Sequence, residues 1–217
     1  DADGDGEPEP VYYNGFRPGE HIGGYPGDGK LGARALGVEN MAENCVQGRG
    51  VMVNLHAHFG DERVAVTYDQ LMDIFAKDGI SVEEGDMLCL HTGWDDMILS
   101  MGGDPDAEKL HQSCVVLDGY DPKLLQWITD SGVSVIVSDN MAVESSHGDG
   151  DTQGGRSHLP IHRHCLFRLG VHLGELWNLG ELASALRRQN RFRYLLTAPP
   201  LRMPGAVGSP VTPIGTI

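Results

Sequence analysis

His162 and Glu175 are the two residues whose types and spacing best suit metal chemistry. Glu175 follows His162 by thirteen positions, so the two side chains flank one short predicted helix and its exit turn. A neutral imidazole and a carboxylate are both good ligands for a divalent cation. Because a catalytic zinc usually takes three protein ligands, the pair predicts only part of a metal centre, whose other ligands must come from elsewhere.

Two further histidines, His158 and His164, lie close to His162 in the sequence. A helix that starts near Pro160 leaves His158 before it and turns His164 about 200° away from His162, at roughly 100° per residue. We therefore expect only one imidazole of this cluster at a shared site. From the residues alone, a capped helix with solvated histidines stays open as the alternative to a metal site at His162 and Glu175.

His56 and His58 form a His-x-His pair at the end of a predicted strand, where both imidazoles would face the same side. Barrel amidohydrolases bind metal with such a pair. A (β/α)₈ barrel, however, needs roughly 250 residues, and this chain shows too few strand and helix units. We therefore expect structural or surface roles for both histidines.

Two other motifs are incomplete. Residues 1–6 imitate the first half of a calcium-binding EF-hand loop, but Tyr12 stands where the bidentate glutamate belongs. Residues 145–147 offer serines beside a histidine, yet no Gly-x-Ser-x-Gly elbow aims a serine at a base. Neither motif predicts a function.

Composition predicts one domain with one substantial core, since the chain has 217 residues of which 40% are hydrophobic. The 16 basic and 31 acidic side chains give a net charge of −15, which repels nucleic acids and anionic membranes. No apolar run approaches the roughly 18 residues that span a bilayer, and no signal peptide is evident. We expect a cytoplasmic protein with four reduced cysteines, because none has Cys-x-x-Cys spacing.

Predicted strands and helices alternate along most of the chain. Residues 1–50, rich in Gly, Asp and Pro, are interpreted as an irregular arm of a single domain over residues 1–217. Strands are predicted at residues 51–55, 87–90, 133–137 and 193–197, and helices at 67–79, 121–132 and 160–170 and after Asn178. Thr67 and Gln70 have capping-box spacing and Gly79 is placed to end the first of these helices, while Asn178 is predicted to cap the last. This order predicts an α/β layered domain with a mixed sheet covered by helices.

Several blocks of the sequence, taken in order, resemble the cyclase family, which groups polyketide-type cyclases with kynurenine formamidases (arylformamidases) and isatin hydrolases. The similarity covers nearly the whole chain. The blocks are Tyr13–Phe16, Gly48–Asn54, Glu84–Trp94, Ser138–Glu144, Leu159–His162, Glu175–Leu179 and the C-terminal stretch Ala198–Ile214.

The resemblance implies a swivelling β/β/α fold and a metal-dependent hydrolase of an amide, N-formyl amide or cyclic amide. Zinc or manganese would polarise the carbonyl and lower the pKa of a bound water, while a histidine moves protons. The substrate would be a small amide or lactam, and the assembly a homodimer or larger homo-oligomer. His162 and Glu175 match the family's late metal ligands.

The chain departs from the family at the early motif His-x-Gly-Thr-His-x-Asp-x-Pro-x-His, which supplies the other ligands and the catalytic histidine and is absent here. The catalytic residue is therefore unassigned. Three explanations stay open: the segment precedes residue 1 in the natural protein, another chain completes the site, or this is a catalytically inactive relative that acts as a ligand-binding or scaffold protein.

Overall fold

The computed structural model describes residues 4, 6–23, 32–145 and 158–217 of the chain. Most of the calcium-loop match at residues 1–6 lies outside these ranges, as do residues 146 and 147 of the serine motif. No helix among the described residues has the length and apolar character needed to cross a bilayer.

The strands of the described ranges form one large sheet and one small sheet. They are β1 Gln47–Asn54, β2 Ala65–Val66, β3 Met87–His91, β4 Val116–Leu117, β5 Val135–Ser138, β6 His172–Gly174, β7 Arg193–Thr197 and β8 Ile214–Thr216. The six-stranded sheet has the order β6-β5-β3-β1-β7-β8, and β2 pairs with β4. Strands β6, β5, β3 and β1 run parallel, while β7 and β8 are antiparallel to their neighbours. The predicted mixed sheet of an α/β domain is thus confirmed.

Helices lie on both faces of this sheet. They are α1 Glu39–Asn44, α2 His56–Phe59, α3 Tyr68–Asp78, α4 Trp94–Ser100, α5 Ala107–Gln112, α6 Pro122–Ser131, α7 Pro160–His162 and α8 Gly180–Arg188. A 3₁₀ turn at Tyr13–Gly15 and a π-helical segment at Arg163–Leu169, directly after α7, complete the set for the described residues.

The alternation of side chains along the strands produces two hydrophobic layers. One face packs against α3 and α6, and the opposite face packs against α8. Successive residues of one strand belong to different layers, as a pleated strand requires. The first layer includes Val51, Val53, Leu88, Leu90 and Ile136, and the second includes Met52, Cys89, Val137, Ala183 and Leu186.

Regular secondary structure begins within residues 1–50, which the composition indicates as an irregular arm. Helix α1 and the first four residues of β1 lie within residues 1–50. Gly48 and Gly50 hide the strand pattern in the sequence, yet Gly50 is needed there, since a Cβ at this position would lie 2.4 Å from the Tyr194 ring. Strand β1 therefore starts at Gln47, where it pairs with Thr197 of β7.

Local sequence signals predicted α3 correctly at both ends. Thr67 Oγ1 accepts the Gln70 backbone N–H and Gln70 Oε1 accepts the Thr67 N–H, which forms the expected capping box. Gly79 ends the helix with a φ of 65°, in the left-handed region that glycine tolerates.

Thr67→Ala removes the side-chain acceptor of this capping box. We expect the free energy of unfolding to fall by about 1 kcal/mol, seen as a lower urea midpoint with an unchanged slope. Thr67→Ser keeps the acceptor and serves as the control, so equal loss in both variants would contradict a capping role.

The predicted cap of α8 was wrong. Asn178 does not cap the helix, which begins at Gly180. Instead, Asp95 Oδ2 accepts the backbone N–H groups of Leu179 and Gly180 at 2.6 and 2.8 Å. The cap therefore comes from a buried carboxylate in the first turn of α4.

Candidate metal centre

Polar residues collect where the parallel strands end. Strands β1, β3 and β5 finish at Asn54, His91 and Ser138, and Glu175 directly follows β6. Because the four strands are parallel, their carboxyl ends lie at one edge of the sheet, which is the usual ligand-binding edge of open α/β sheets. This edge is therefore the candidate functional surface.

The structure brings His162 and Glu175 together. His162 ends α7, whose first residue is Pro160, and its Nε2 lies 3.0 Å from Glu175 Oε1. Both side chains keep partial access to solvent, at 24% and 29% exposure. The pair can therefore be reached by an ion or a small molecule. The predicted proximity is observed, and the metal-binding role itself stays a prediction.

A third residue, Glu144, holds the imidazole in place. Its Oε1 accepts the His162 backbone N–H at 2.9 Å and lies 2.9 Å from His162 Nδ1, while its Oε2 accepts the Ile161 N–H at 2.8 Å. The Glu144 side chain is fully buried. Its carboxylate therefore fixes the His162 ring and also receives the N–H groups of the first helical turn.

Sequence reasoning missed Glu144 as a site residue. Its carboxylate comes from the loop after β5, and only the folded chain brings that loop against α7. Gly119 makes room for it, since a Cβ there would lie 2.1 Å from Glu144 Oε2. The sequence held one indication: Glu144 directly follows the apolar residues Ala142 and Val143, which suggests that its carboxylate is buried.

The two carboxylates change the acidity of His162. The hydrogen bond to Glu144 and the contact with Glu175 outweigh partial burial and raise the pKa of His162 from 6.5 to about 9. The imidazole is therefore protonated at neutral pH when no metal is bound. A metal that binds at Nε2 must displace this proton.

This shift predicts how the stability of the metal-free chain depends on pH. The folded state holds the His162 proton more tightly than the unfolded chain does, so the stabilisation is complete below the ordinary value of 6.5 and is lost as pH rises through about 9. We expect wild type to lose about 2 to 3 kcal/mol of unfolding free energy between about pH 6 and pH 9.5, beyond any loss in His162→Gln. Parallel urea curves of both proteins at both pH values measure this. Identical pH dependence would contradict it.

The remaining predicted histidines do not join this pair. His164 lies on the π-helical segment and its Nε2 contacts Thr129 Oγ1 at 2.8 Å, so it points away from His162 as helical geometry requires. His158 is exposed.

His56 and His58 contact different partners, as structural roles predict. They lie on helix α2 rather than at a strand end, so their side chains diverge. His56 Nε2 lies 2.9 Å from Asp61 Oδ1, and His58 Nε2 lies 2.8 Å from Asp78 Oδ2. Because the two imidazoles use different partners, they do not form a shared ligand pair.

The geometry of His162 and Glu175 fits two corners of a metal site. Two ligands that bind one zinc at about 2.0 to 2.1 Å lie about 3.3 Å apart, close to the observed 3.0 Å. Glu175 Oε1 is buried, and its polar contact within the described residues is with His162 Nε2, so both atoms face the point where a metal would replace the proton. A carboxylate on Nδ1, as here from Glu144, is the usual support of a metal-binding histidine. Further ligands are still needed.

Comparison with known proteins identifies the family. The sequence profile described as "Putative cyclase" matches residues 20–145, more than half of the chain. The chain belongs to the cyclase family. A crystal structure described as a novel cyclase is 28% identical with a TM-score of 0.76, and the match covers 98% of this chain and 65% of that one. A comparison with curated proteins gave no match.

Two more distant structures share the fold. Isatin hydrolase A from Ralstonia solanacearum is 18% identical with a TM-score of 0.59, over 87% of this chain and 66% of that one. A structure described as a potential metal-dependent hydrolase with cyclase activity is 14% identical with a TM-score of 0.51, over 79% of this chain and 66% of that one. This cyclase-family chain thus spans about two thirds of the length of the structures it matches.

Proposed function

We propose that this cyclase-family chain forms part of a metal-dependent hydrolase that cleaves an amide, N-formyl amide or cyclic amide. The observation that carries the proposal is the row of contacts from buried Glu144 through His162 to Glu175. It presents one imidazole nitrogen and one carboxylate oxygen to a common point. The descriptions of the similar structures, an isatin hydrolase and a metal-dependent hydrolase, support the same reaction class.

Each of the three residues has a defined part. His162 Nε2 and Glu175 would hold a zinc or manganese ion, and Glu144 keeps the imidazole oriented and is a positioning residue. A metal in such a site polarises a carbonyl and lowers the pKa of bound water. The overall reaction adds water across the C–N bond, so the carbonyl carbon gains oxygen and the amine nitrogen gains a proton. Further ligands would come from outside the described residues or from another chain.

A catalytically inactive, ligand-binding relative is the second candidate. The observation that favours it is that the described residues bring only two potential ligands to this point, His162 and Glu175. Two protein ligands would hold a metal weakly.

Metal content and amide hydrolysis, measured on the same protein, test the proposal. The purified protein is stripped with a chelator, reloaded with Zn²⁺ or Mn²⁺, dialysed, and assayed with isatin, N-formylkynurenine and a panel of simple lactams and formanilides. We expect retained metal and turnover of at least one amide, abolished by the chelator and restored by the metal.

Two results would overturn this function. Absence of turnover of every amide on the panel, whether or not metal is retained, would favour the inactive relative. Failure to retain metal, with turnover that a chelator does not affect, would exclude metal-dependent hydrolysis. Mg²⁺ reloading is the matched control, because Mg²⁺ prefers oxygen ligands and keeps several waters.

A further inference from the structure

A second group of possible ligands lies at the end of β3. His91 ends this strand, and Asp95 and Asp96 lie in the first turn of α4. His91 Nε2 is 3.6 Å from Asp95 Oδ1 and 3.9 Å from Asp96 Oδ2. One donor atom from each residue lies within 4.8 Å of the others, and neither His162 nor Glu175 belongs to this group.

Asn54 fixes which nitrogen of His91 faces the carboxylates. The Asn54 side-chain oxygen accepts the Ala57 backbone N–H at 3.0 Å, so this atom acts as an acceptor. It lies 3.1 Å from His91 Nδ1, which must therefore carry a proton and donate. In the neutral ring, the Nε2 lone pair then points at the two aspartates.

His91 Nε2 is a buried polar atom without a hydrogen-bond partner in the part of the chain that the structure describes. The residue is 4% exposed, so solvent water has little access to Nε2 and does not supply the missing hydrogen bond. A lone pair directed at two carboxylates is unfavourable unless a positive charge lies between them. The site therefore calls for either a proton or a metal cation.

The distances favour a metal cation over a proton. A charged N–H donor and a carboxylate oxygen approach to about 2.7 to 2.9 Å, whereas the separations here are 3.6 and 3.9 Å. Two ligands on one ion at about 2.1 Å lie about 3.4 Å apart, so shifts of a few tenths of an ångström would seat a cation.

The surrounding charge also suits a cation. Burial lowers the pKa of His91, but the carboxylates of Asp95, Asp139 and Asp96 outweigh burial and raise it above its ordinary value. Asp139 is fully buried, and it adds negative charge behind the group. Asp96, with a side chain 66% exposed, leaves the group open to solvent on one side.

The geometry points to a second divalent cation site formed by His91 Nε2, Asp95 Oδ1 and the Asp96 carboxylate. One nitrogen and two oxygens suit Zn²⁺ or Mn²⁺ better than the all-oxygen sites of Mg²⁺ and Ca²⁺. Asp95 uses its other oxygen to hold the start of α8. A cation bound here therefore also stabilises the junction between β3, α4 and α8.

Zn²⁺ binding in a background without the first pair tests this site. In the double variant His162→Gln, Glu175→Gln, equilibrium dialysis against Zn²⁺ should leave about one ion per chain. Adding Asp96→Asn should weaken Zn²⁺ binding at least about tenfold. Asp96 is the variant of choice because its side chain is exposed and caps no helix. Asp73→Asn, an equal change of charge at an exposed position on α3, should leave binding unchanged.

NMR adds a readout that identifies the ligand. Zn²⁺ should shift the imidazole nitrogen resonances of His91 in the double variant, and it should no longer do so after Asp96→Asn. The site is overturned if the double variant binds no Zn²⁺, if Asp96→Asn and Asp73→Asn bind alike, or if the His91 resonances do not respond. Circular dichroism of each variant confirms the fold.

Discussion

Glu175→Gln is expected to reduce metal-dependent amide hydrolysis by at least about 10³-fold, equivalent to about 4 kcal/mol of transition-state stabilisation. The substitution keeps the size of the side chain, but a neutral amide is a much poorer metal ligand than a carboxylate. Glu175 is 29% exposed, so we expect the fold to persist. The comparison requires kcat/KM and bound metal for both proteins at the same metal concentration.

Glu181→Gln is the matched control for this variant. Glu181 lies six residues further along the chain, exposed on α8, and the substitution makes the same change in charge. We expect wild-type activity and metal content there. Full activity in Glu175→Gln, with metal still bound, would show that Glu175 is not a ligand.

Glu144→Gln is expected to lower the free energy of unfolding by about 3 to 5 kcal/mol, as the loss of one partner from a buried ion pair does. In the native protein the Glu144 oxygens accept the backbone N–H groups of Ile161 and His162. The glutamine keeps one of these oxygens, but its NH₂ group would face a donor in place of the other. Urea unfolding of the metal-free protein measures this change. Glu43→Gln, at an exposed position on α1, is the control and should be neutral.

The same variant should also change His162. Without its largest stabilising contact, the pKa of His162 should fall from about 9 toward its ordinary 6.5, which an NMR pH titration detects. Metal affinity should fall about 10- to 100-fold, because the imidazole loses its support. Glu144→Asp keeps the charge and should recover part of the pKa shift. An unchanged His162 titration in Glu144→Gln would contradict this role.

Features governed by neighbouring residues could be predicted from the sequence. The capping box at Thr67 and the stop at Gly79 are local signals, and α3 follows them. His162 and Glu175 could be paired because the predicted helix and its exit turn are short, although strand β6, which was not predicted, also lies between them. The divergence of His162 and His164 followed from helical geometry alone.

Features that depend on distant partners could not be predicted. The cap of α8 is Asp95, which is 84 residues from Leu179. The sequence around Asn178 gives no sign that a distant carboxylate accepts the first N–H groups of the helix. Glu144 was missed for the same reason, since its burial and its choice of His162 arise only when the loop after β5 packs against α7. His56 and His58 appeared to end a strand because β1 and α2 are separated by only one residue.

The contacts of Glu144 with the start of α7 join points of the chain that are 17 and 18 residues apart. Closing a connection costs entropy that grows only with the logarithm of its length, about 0.6 kcal/mol for each doubling. Insertions between these anchor points would therefore add little to the entropic cost of forming the contacts of Glu144 with α7.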